Sequence, residues 1–422
     1  MSVYTFLKFF GCLALLMYGL KVMSEGLQKL AGGQLRHVMG AMTRNRFTGL
    51  LTGTFITAAV QSSTATTVLT VSFVNAGLLT LAQAISVIMG ANIGTTATAW
   101  IMAVFGFLLN MSNFVWPMFL IGIILLFRKK PQGKSTGEFL FGFSFMFLAL
   151  CTLRENARDM DLAHNASVVN FFQSFDPHSL WTTLLFLLIG GVLTMCVQSS
   201  SAIMAITMLL CSAGVMPIYQ GIALVMGENI GTTVTSNVAA LSASTQARRA
   251  ALTHLIFNVF GVVWVLCVFR PFINMVCSLV GFDPQYVPVT DSDVERNSVM
   301  ANYALCAFHT CFNVCNVLIL IWFIKPLEKL VCKLIRSKEE DEDSRLKYIS
   351  AGILSIAELS LLEARKEINL FAARALRMFR FVPQLLEMKD EEEYTKLFAR
   401  TEKYEGFSDN MELEIANYLN KV

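Results

Sequence analysis

From Phe47 to Phe127 the chain runs without one Asp, Glu, Lys or Arg. A soluble domain carries about 25% charged residues, so a stretch of this length cannot coat one. The whole chain is 15% charged and 55% hydrophobic, and the charges it has are unevenly placed. Lys325–Val422 holds 17 Lys+Arg and 19 Asp+Glu, which is 36 of the 63 charges in the 422 residues. This excludes a single soluble domain. The expected fold is all-α: a polytopic membrane body over 1–327, a charged linker over 328–344, and a small soluble helical domain over 345–422.

Several function classes fall away on composition. A net charge of +3 is too small to attract nucleic acid. Five His and the lack of a Cys-x2-Cys pair leave little for zinc. Most of the ten Cys sit inside apolar runs, where a thiol acts as a small hydrophobe. The first apolar run is followed by Lys21 and Glu25, where a signal peptide would need small residues for cleavage. It reads as a first membrane helix.

Apolar runs lie near 4–23, 47–60, 64–78, 81–91, 95–109, 113–127, 138–153, 178–197, 202–215, 218–227, 232–245, 251–269 and 300–324. A helical crossing takes about 20 apolar residues, and several of these runs are shorter. Gly, Ser, Thr and Asn interrupt them, not charge. Broken helices at membrane depth survive only inside protein or against a water-filled cavity, so the interruptions mark a site.

The interruptions also repeat. Gln61-Ser62-Ser63-Thr64 returns later in the chain as Gln198-Ser199-Ser200-Ser201. The same offset carries Asn92-Ile93-Gly94-Thr95-Thr96 onto Asn229-Ile230-Gly231-Thr232-Thr233. Aligned without a gap, 53–98 and 190–235 agree at 20 of 46 positions. Shared membrane composition aligns Leu with Ile, but it does not align two polar motifs in one register; this is a duplication. Its copies extend over about 26–112 and 163–249. Arg36, Arg44 and Arg46 precede the first copy, whereas Arg248 and Arg249 close the second. Positive residues stay inside, so the first copy is expected to start inside and the second to end there. The copies are then inverted, with the N-terminus outside and the C-terminus cytoplasmic. Inverted repeats with interrupted helices are an architecture of secondary transporters.

The chemistry of the motifs fits an ion site. The Gln amide and Ser hydroxyls offer both donors and acceptors. If the chain turns there, the next half-helix presents free N–H groups and a positive dipole end to an anion. Hydroxyls and unwound carbonyls also suit a small alkali cation. In the second motif, Asn92 and Asn229 are expected to bridge unwound segments, with Thr95, Thr96, Thr232 and Thr233 capping or ligating. Packing through Gly90/Gly94 and Gly227/Gly231 is the plainer reading of the same residues. Glu228, whose repeat-mate is Ala91, is the only charge between Asp176 and Arg248. It could ligate a cation, balance charge, or stay a neutral structural acid. His254 with Asn258, and His309 with Asn313, sit at i and i+4 and suit interhelical hydrogen bonding or, less simply, a substrate contact.

These paired motifs resemble those of the type II sodium/phosphate cotransporter family in its bacterial form, over roughly Leu7–Leu330. The resemblance implies sodium-coupled transport of inorganic phosphate by alternating access in a bacterial inner membrane. It implies no chemical catalysis and no cofactor beyond sodium as coupling ion. Carried over by motif, Gln61, Ser62, Ser63, Thr64, Gln198, Ser199, Ser200 and Ser201 would line the phosphate and sodium sites. Asn92, Thr95, Thr96, Asn229, Thr232 and Thr233 would be neighbours. The partners it implies are phosphate, sodium and the lipid bilayer, with a homo-oligomer possible in principle and no nucleic acid. Efflux, or another oxyanion as cargo, remains an alternative. The tail resembles the helical PhoU fold, though an ordinary amphipathic bundle would give the same periodicity. Two rivals come from other classes. One is an intramembrane serine hydrolase, which needs a motif serine beside His254 or His309. The other is a non-transporting sensor with the tail as output.

Overall fold

A computed structural model of the chain describes residues 3–42, 45–76, 78–108, 111–160, 166–177, 179–241, 243–285, 291–336 and 357–420. All regular elements among them are helices. Residues 337–344 of the expected charged linker, and 345–356 at the start of the expected helical domain, lie outside the described residues. The described chain forms two compact units. The first comprises Met1–Thr67, Ile85–Thr235 and His254–Ile324; the second comprises Val68–Ala84, Ser236–Thr253 and Lys325–Val422.

The first unit opens with α1 (Val3–Met42). It packs along α6 (Pro131–Asp159), which starts with Pro131 as its first helical residue. Lys8 pairs with Asp159 at 3.4 Å and Lys29 with Glu138 at 2.6 Å, so the two helices are antiparallel. Their backbones approach closely because Gly19 and Gly142 face each other's helix. The preceding helix α5 (Ser112–Leu126) completes a hairpin with α6.

The two copies of the repeat are built alike. Copy one has α2 (Arg46–Val60), α3 (Ser63–Asn75) and α4 (Leu81–Ile101), the last running on as a π-helical stretch, Met102–Leu108. After the short helix α7 (Ala166–Gln173), copy two has α8 (Leu180–Val197), α9 (Ser200–Ser212) and α10 (Ile218–Ala239). At about 1.5 Å per residue, α2, α3 and α9 are roughly 20 Å long, too short for a hydrocarbon core of about 30 Å. Side-chain-free contacts hold each copy together. A Cβ on Gly53 would run into the Val87 carbonyl, one on Gly90 into that of Leu50, and one on Gly94 into that of Thr54. In copy two the three repeat-mates do the same: Gly190 meets Leu224, Gly227 meets Leu187 and Gly231 meets Gly191.

One expectation is corrected here. The runs 81–91 and 95–109 are continuous helix as far as Leu108, and so are 218–227 and 232–245 as far as Ala239. Asn-Ile-Gly-Thr-Thr does not unwind either. Its polar side chains fold back on the helix: Asn92 Nδ2 donates to Ile88 O at 2.9 Å, Thr95 Oγ1 to Ala91 O at 2.9 Å, and Thr232 Oγ1 to Glu228 O at 2.8 Å. Local back-bonding satisfies these groups inside the helix.

The chain continues with α11 (Thr245–Cys267), α12 (Phe269–Leu279), α13 (Asp291–Leu320) and, after one 3-10 turn, α14 (Ile324–Leu334). Helix therefore covers part of the expected linker. Leu16, Met102, Phe147, Ile222, Phe308 and Phe312 lie in the core of the first unit and are fully buried. Among the described residues six helices are long and apolar enough to cross a membrane, and Asn113–Leu126 and Ser200–Ser212 are shorter apolar helices. In the tail, α15 (Ala357–Phe379) packs on α17 (Glu391–Leu419), with the short α16 (Phe381–Glu387) between them. Met411, Ile415 and Tyr418 form the buried stripe of α17.

Candidate functional site

The chain turns sharply at each Gln-Ser-Ser. Gln61 has φ 58° and ψ 29°, and Gln198 has φ 55° and ψ 29°. They are the two non-glycine residues with positive φ among those described. Each closes a helix, with Gln61 N donating to Thr57 O at 2.8 Å and Gln198 N to Thr194 O at 2.7 Å. The Gln61 amide also donates back to Ala58 O. The next residue then caps the following helix. Ser62 Oγ accepts from Ala65 N at 3.2 Å, and Ser199 Oγ from Ala202 N at 3.3 Å. The sequence folds this way because a Ser at the cap position starts α3 and α9 one residue after α2 and α8 have been stopped.

Both turns line one cavity of about 530 Å³ in the first unit. From copy one it receives Gln61, Ser62, Ser63, Thr64, Thr95 and Thr98, and from copy two Gln198, Ser199, Ser200 and Ser201. The first N–H groups of a helix have no partner within it, and two such helix starts, α3 and α9, are brought to this space. Three buried polar atoms near the turns are left without a hydrogen-bond partner: Thr57 Oγ1 and its repeat-mate Thr194 Oγ1, and Gln61 Oε1.

The third wall is α1, which supplies Lys21, Ser24, Glu25 and Gln28. Ser24 Oγ donates to Val60 O at 3.0 Å, tying α1 to the end of α2, and Gln28 Nε2 donates to Ser24 Oγ at 3.0 Å. Lys21 and Glu25 face each other at 3.9 Å across one turn, so the cavity holds a cation and a carboxylate besides its hydroxyls. Sequence reasoning does not place these four residues at the site. Their signal is there to be read: polar residues at i and i+4 make one stripe on an otherwise apolar helix.

The remaining candidates lie elsewhere. Asn92 and Asn229 do not line the large cavity; they bind the histidines. His254 Nε2 faces Asn92 Oδ1 at 3.4 Å, and His309 Nε2 faces Asn229 Oδ1 at 3.1 Å. Asn258 Nδ2 adds a bond to Asn92 Oδ1 at 3.4 Å and one to His254 O at 3.0 Å. Asn313 Nδ2 likewise donates to His309 O at 2.9 Å. Each copy thus has its own asparagine–histidine link to α11 or α13, the interhelical bonding that the i, i+4 spacing suggested. Both Nε2 atoms face an asparagine oxygen, where a hydrolase would need a serine hydroxyl. Thr96 and Thr233 donate to Ile93 O at 2.8 Å and Ile230 O at 2.7 Å. Thr95 reaches the large cavity, while Thr232 is held in α10. Glu228 is 1% exposed and lines a second, small cavity with His309.

Comparison with known proteins gives a consistent assignment. The putative inorganic phosphate export protein YjbB of Escherichia coli K12 is 27% identical over 365 residues, 86% of this chain and 62% of that protein. The chain therefore spans less than two thirds of that relative. The uncharacterized protein YqeW of Bacillus subtilis is 28% identical over 284 residues, 67% of this chain and 87% of that one. The rat sodium-dependent phosphate transport protein 2A is 42% identical over 96 residues, 22% of this chain and 15% of its own length. No solved structure matches the chain. A family profile described as Na+/Pi-cotransporter matches residues 15–155 and 177–282, which takes in copy one, α8 to α10 of copy two and the residues lining the large cavity. With six membrane-length apolar helices among its described residues, this is a multi-pass membrane protein, and it belongs to the Na+/Pi-cotransporter family.

Proposed function

We propose that the chain is a sodium-coupled carrier of inorganic phosphate that works by alternating access, with the anion held between the two Gln-Ser-Ser turns. The observation that carries this reading is the shared cavity: two motifs from separate copies of the repeat line one space. Phosphate would accept hydrogen bonds from serine hydroxyls and from the starts of α3 and α9, where the helix dipoles favour negative charge. Lys21 lends a cation and remains paired to Glu25 when no anion is bound. Sodium suits the uncharged oxygens left unpartnered around the turns, Thr57 Oγ1 and Thr194 Oγ1 among them. Movement of one copy against the rest would expose the site to either side, as in other carriers built from inverted repeats. In this reading the copies are inverted in a bacterial inner membrane, and the PhoU-like tail is cytoplasmic.

The test is flux of radiolabelled phosphate in proteoliposomes. We expect flux that follows an imposed sodium gradient and is inhibited by arsenate. Flux indifferent to sodium overturns the coupling; no phosphate flux or binding overturns the cargo. A second reading, export, is favoured by the name of the YjbB relative. It differs only in direction, and vesicles loaded with phosphate and given an outward or an inward sodium gradient separate the two.

A further inference from the structure

Helix α14 is divided lengthwise into three strips. Lys325, Lys329 and Lys333 recur at i, i+4 and i+8 and so form one row along it. Leu327 and Val331, also four apart, are buried against the protein. At 3.6 residues per turn, Leu330 and Leu334 fall between those rows, and they are 42% and 60% exposed. The three lysines are exposed, as is Arg336 just beyond the helix end. Among the described residues none of these four cations takes part in a salt bridge. The acidic residue of α14, Glu328, lies on the far side of the lysine row from the two leucines.

The helix is held by the protein on its buried side. Ile335 N donates to Val331 O at 2.9 Å, and Arg249 of α11 holds Ile335 O. What remains outside is an apolar strip beside a row of unpaired positive charge. A helix lying at a bilayer surface presents that pattern, because its leucines enter the acyl boundary while long lysine side chains reach the headgroups. Chain length brings α14 to such a surface. The apolar span that includes α13 and α14 runs 39 residues, Arg296–Leu334, about 60 Å of helix at about 1.5 Å per residue. A hydrocarbon core of about 30 Å takes up only about half of it, and the lysines put the α14 end outside the core.

We propose that α14 lies in the plane of the membrane surface and binds anionic phospholipid headgroups. Leu330 and Leu334 enter the acyl boundary, and Lys325, Lys329, Lys333 and Arg336 meet the lipid phosphates. The charge of the row selects the lipid: each Lys or Arg near an anionic surface adds about a fivefold factor to binding. The inference needs the chain to span a membrane and is independent of its cargo.

The experiment is hydrogen exchange on the full chain, one copy per nanodisc, in phosphatidylcholine alone and in equal parts phosphatidylcholine and phosphatidylglycerol. We expect exchange over Ile324–Leu334 to be at least tenfold slower with phosphatidylglycerol, and exchange over Ile218–Ala239, inside the first unit, to be the same in both. Equal exchange of α14 in the two lipids overturns the proposal, and so does a slowing that extends equally to Ile218–Ala239. High salt should erase the difference in the wild type without any substitution, since the screening length falls to about 3 Å at 1 M; a difference that survives it overturns the charge assignment. Lys325→Gln with Lys329→Gln and Lys333→Gln should remove the response to phosphatidylglycerol, with Ile218–Ala239 exchanging as in the wild type to show that the body is folded. Leu330→Gln with Leu334→Gln should speed exchange of α14 in both lipids. If free inorganic phosphate added to phosphatidylcholine discs slows α14 as much as phosphatidylglycerol does, the lysines read a free ion and the lipid assignment fails. Slowing that appears only in discs holding two copies makes the occupant a second copy and overturns the proposal.

Discussion

At the scale of single residues, Gln61 and Gln198 hold a backbone conformation that disfavours a side chain. The left-handed region costs an L-residue about 1–2 kcal/mol, and glycine would avoid it. Glutamine stands there twice, with matching φ and ψ, and lines the cavity both times. The serines beside it allow a quantitative prediction. Ser62→Ala with Ser63→Ala, or Ser199→Ala with Ser200→Ala, should each remove about two hydrogen bonds to a bound oxyanion. A charge-assisted bond is worth about 1.5–3 kcal/mol, so affinity should fall by about two to four decades. Thermal stability should fall only modestly, by about 1 kcal/mol, because each double variant also removes the serine that caps α3 or α9. Thr136→Ala, half-buried on α6 and hydrogen-bonded to Gln132 O in its own helix, should leave affinity within a few-fold. Calorimetric titration with phosphate in saturating sodium checks all three. A site that loses affinity for only one of the two double variants would not be shared between the copies.

At the scale of elements, duplicated glycines set how closely the helices of each copy approach. Gly90 lies against the Leu50 carbonyl and Thr54 N, and Gly227 against the Leu187 carbonyl and Gly191 N. These neighbours are backbone and cannot rotate away. Gly90→Ala and Gly227→Ala should therefore each destabilise by about 1–3 kcal/mol, the usual cost of overpacking. Gly406, in α17, has nothing within 4 Å of an added Cβ. Gly406→Ala should act in the opposite direction, by about 0.5–1 kcal/mol, because it only restricts the unfolded chain and favours helix. Thermal melts of the three variants in one detergent test both signs. The element scale also shows what is legible in the sequence. The breaks at Gln61 and Gln198 are readable because an uncharged polar triplet interrupts an apolar run, and its recurrence rules out accident. Asn-Ile-Gly-Thr-Thr sends the same signal and yet is no break. Its side chains bond the preceding carbonyls and, at Asn92 and Asn229, histidines far along the chain, His254 and His309. Composition cannot distinguish a polar group that unwinds a helix from one satisfied by a distant partner. Lys21 and Glu25 escape notice for a related reason: pairing within one turn gives them a local explanation that hides the cavity they line.

At the scale of the whole molecule, the second unit gathers the middle of copy one and the end of copy two with the tail. It contains the α3–α4 connection, the α10–α11 connection and Lys325–Val422. Asn75, the last residue of α3, accepts from Ser244 N at 2.8 Å, so the two connections are tied directly. The tail is tied to the same place. Glu363 of α15 is hydrogen-bonded to the Asn75 side chain, and Lys366 donates to Ala76 O. Arg249, in α11, holds Ile335 O through Nε at 3.0 Å and Nη2 at 2.9 Å. Glu363 and Lys366 are thus two groups through which α15 meets the repeat. Burial pushes the Glu363 carboxyl up to about 7; the hydrogen bonds from Tyr418 and Asn75 oppose this, and neighbouring Glu367 adds to it. The sign follows from linkage. A carboxyl with a raised folded-state value keeps its proton while the opened segment, with a value near 4.5, has lost it. The stability of this contact is full below that lower value and is lost as the pH rises through about 7. Hydrogen exchange over Ala357–Phe379, corrected for intrinsic rates, should therefore show α15 opening more often at pH 8 than at pH 5.5. Glu363→Gln fixes the neutral form, and should flatten that dependence at the level of protection seen at low pH. Protection of α15 that is the same at both pH values in the wild type would show that the Glu363 contact does not control how the tail is held. If protection varies with pH equally in Glu363→Gln, the proton is bound elsewhere.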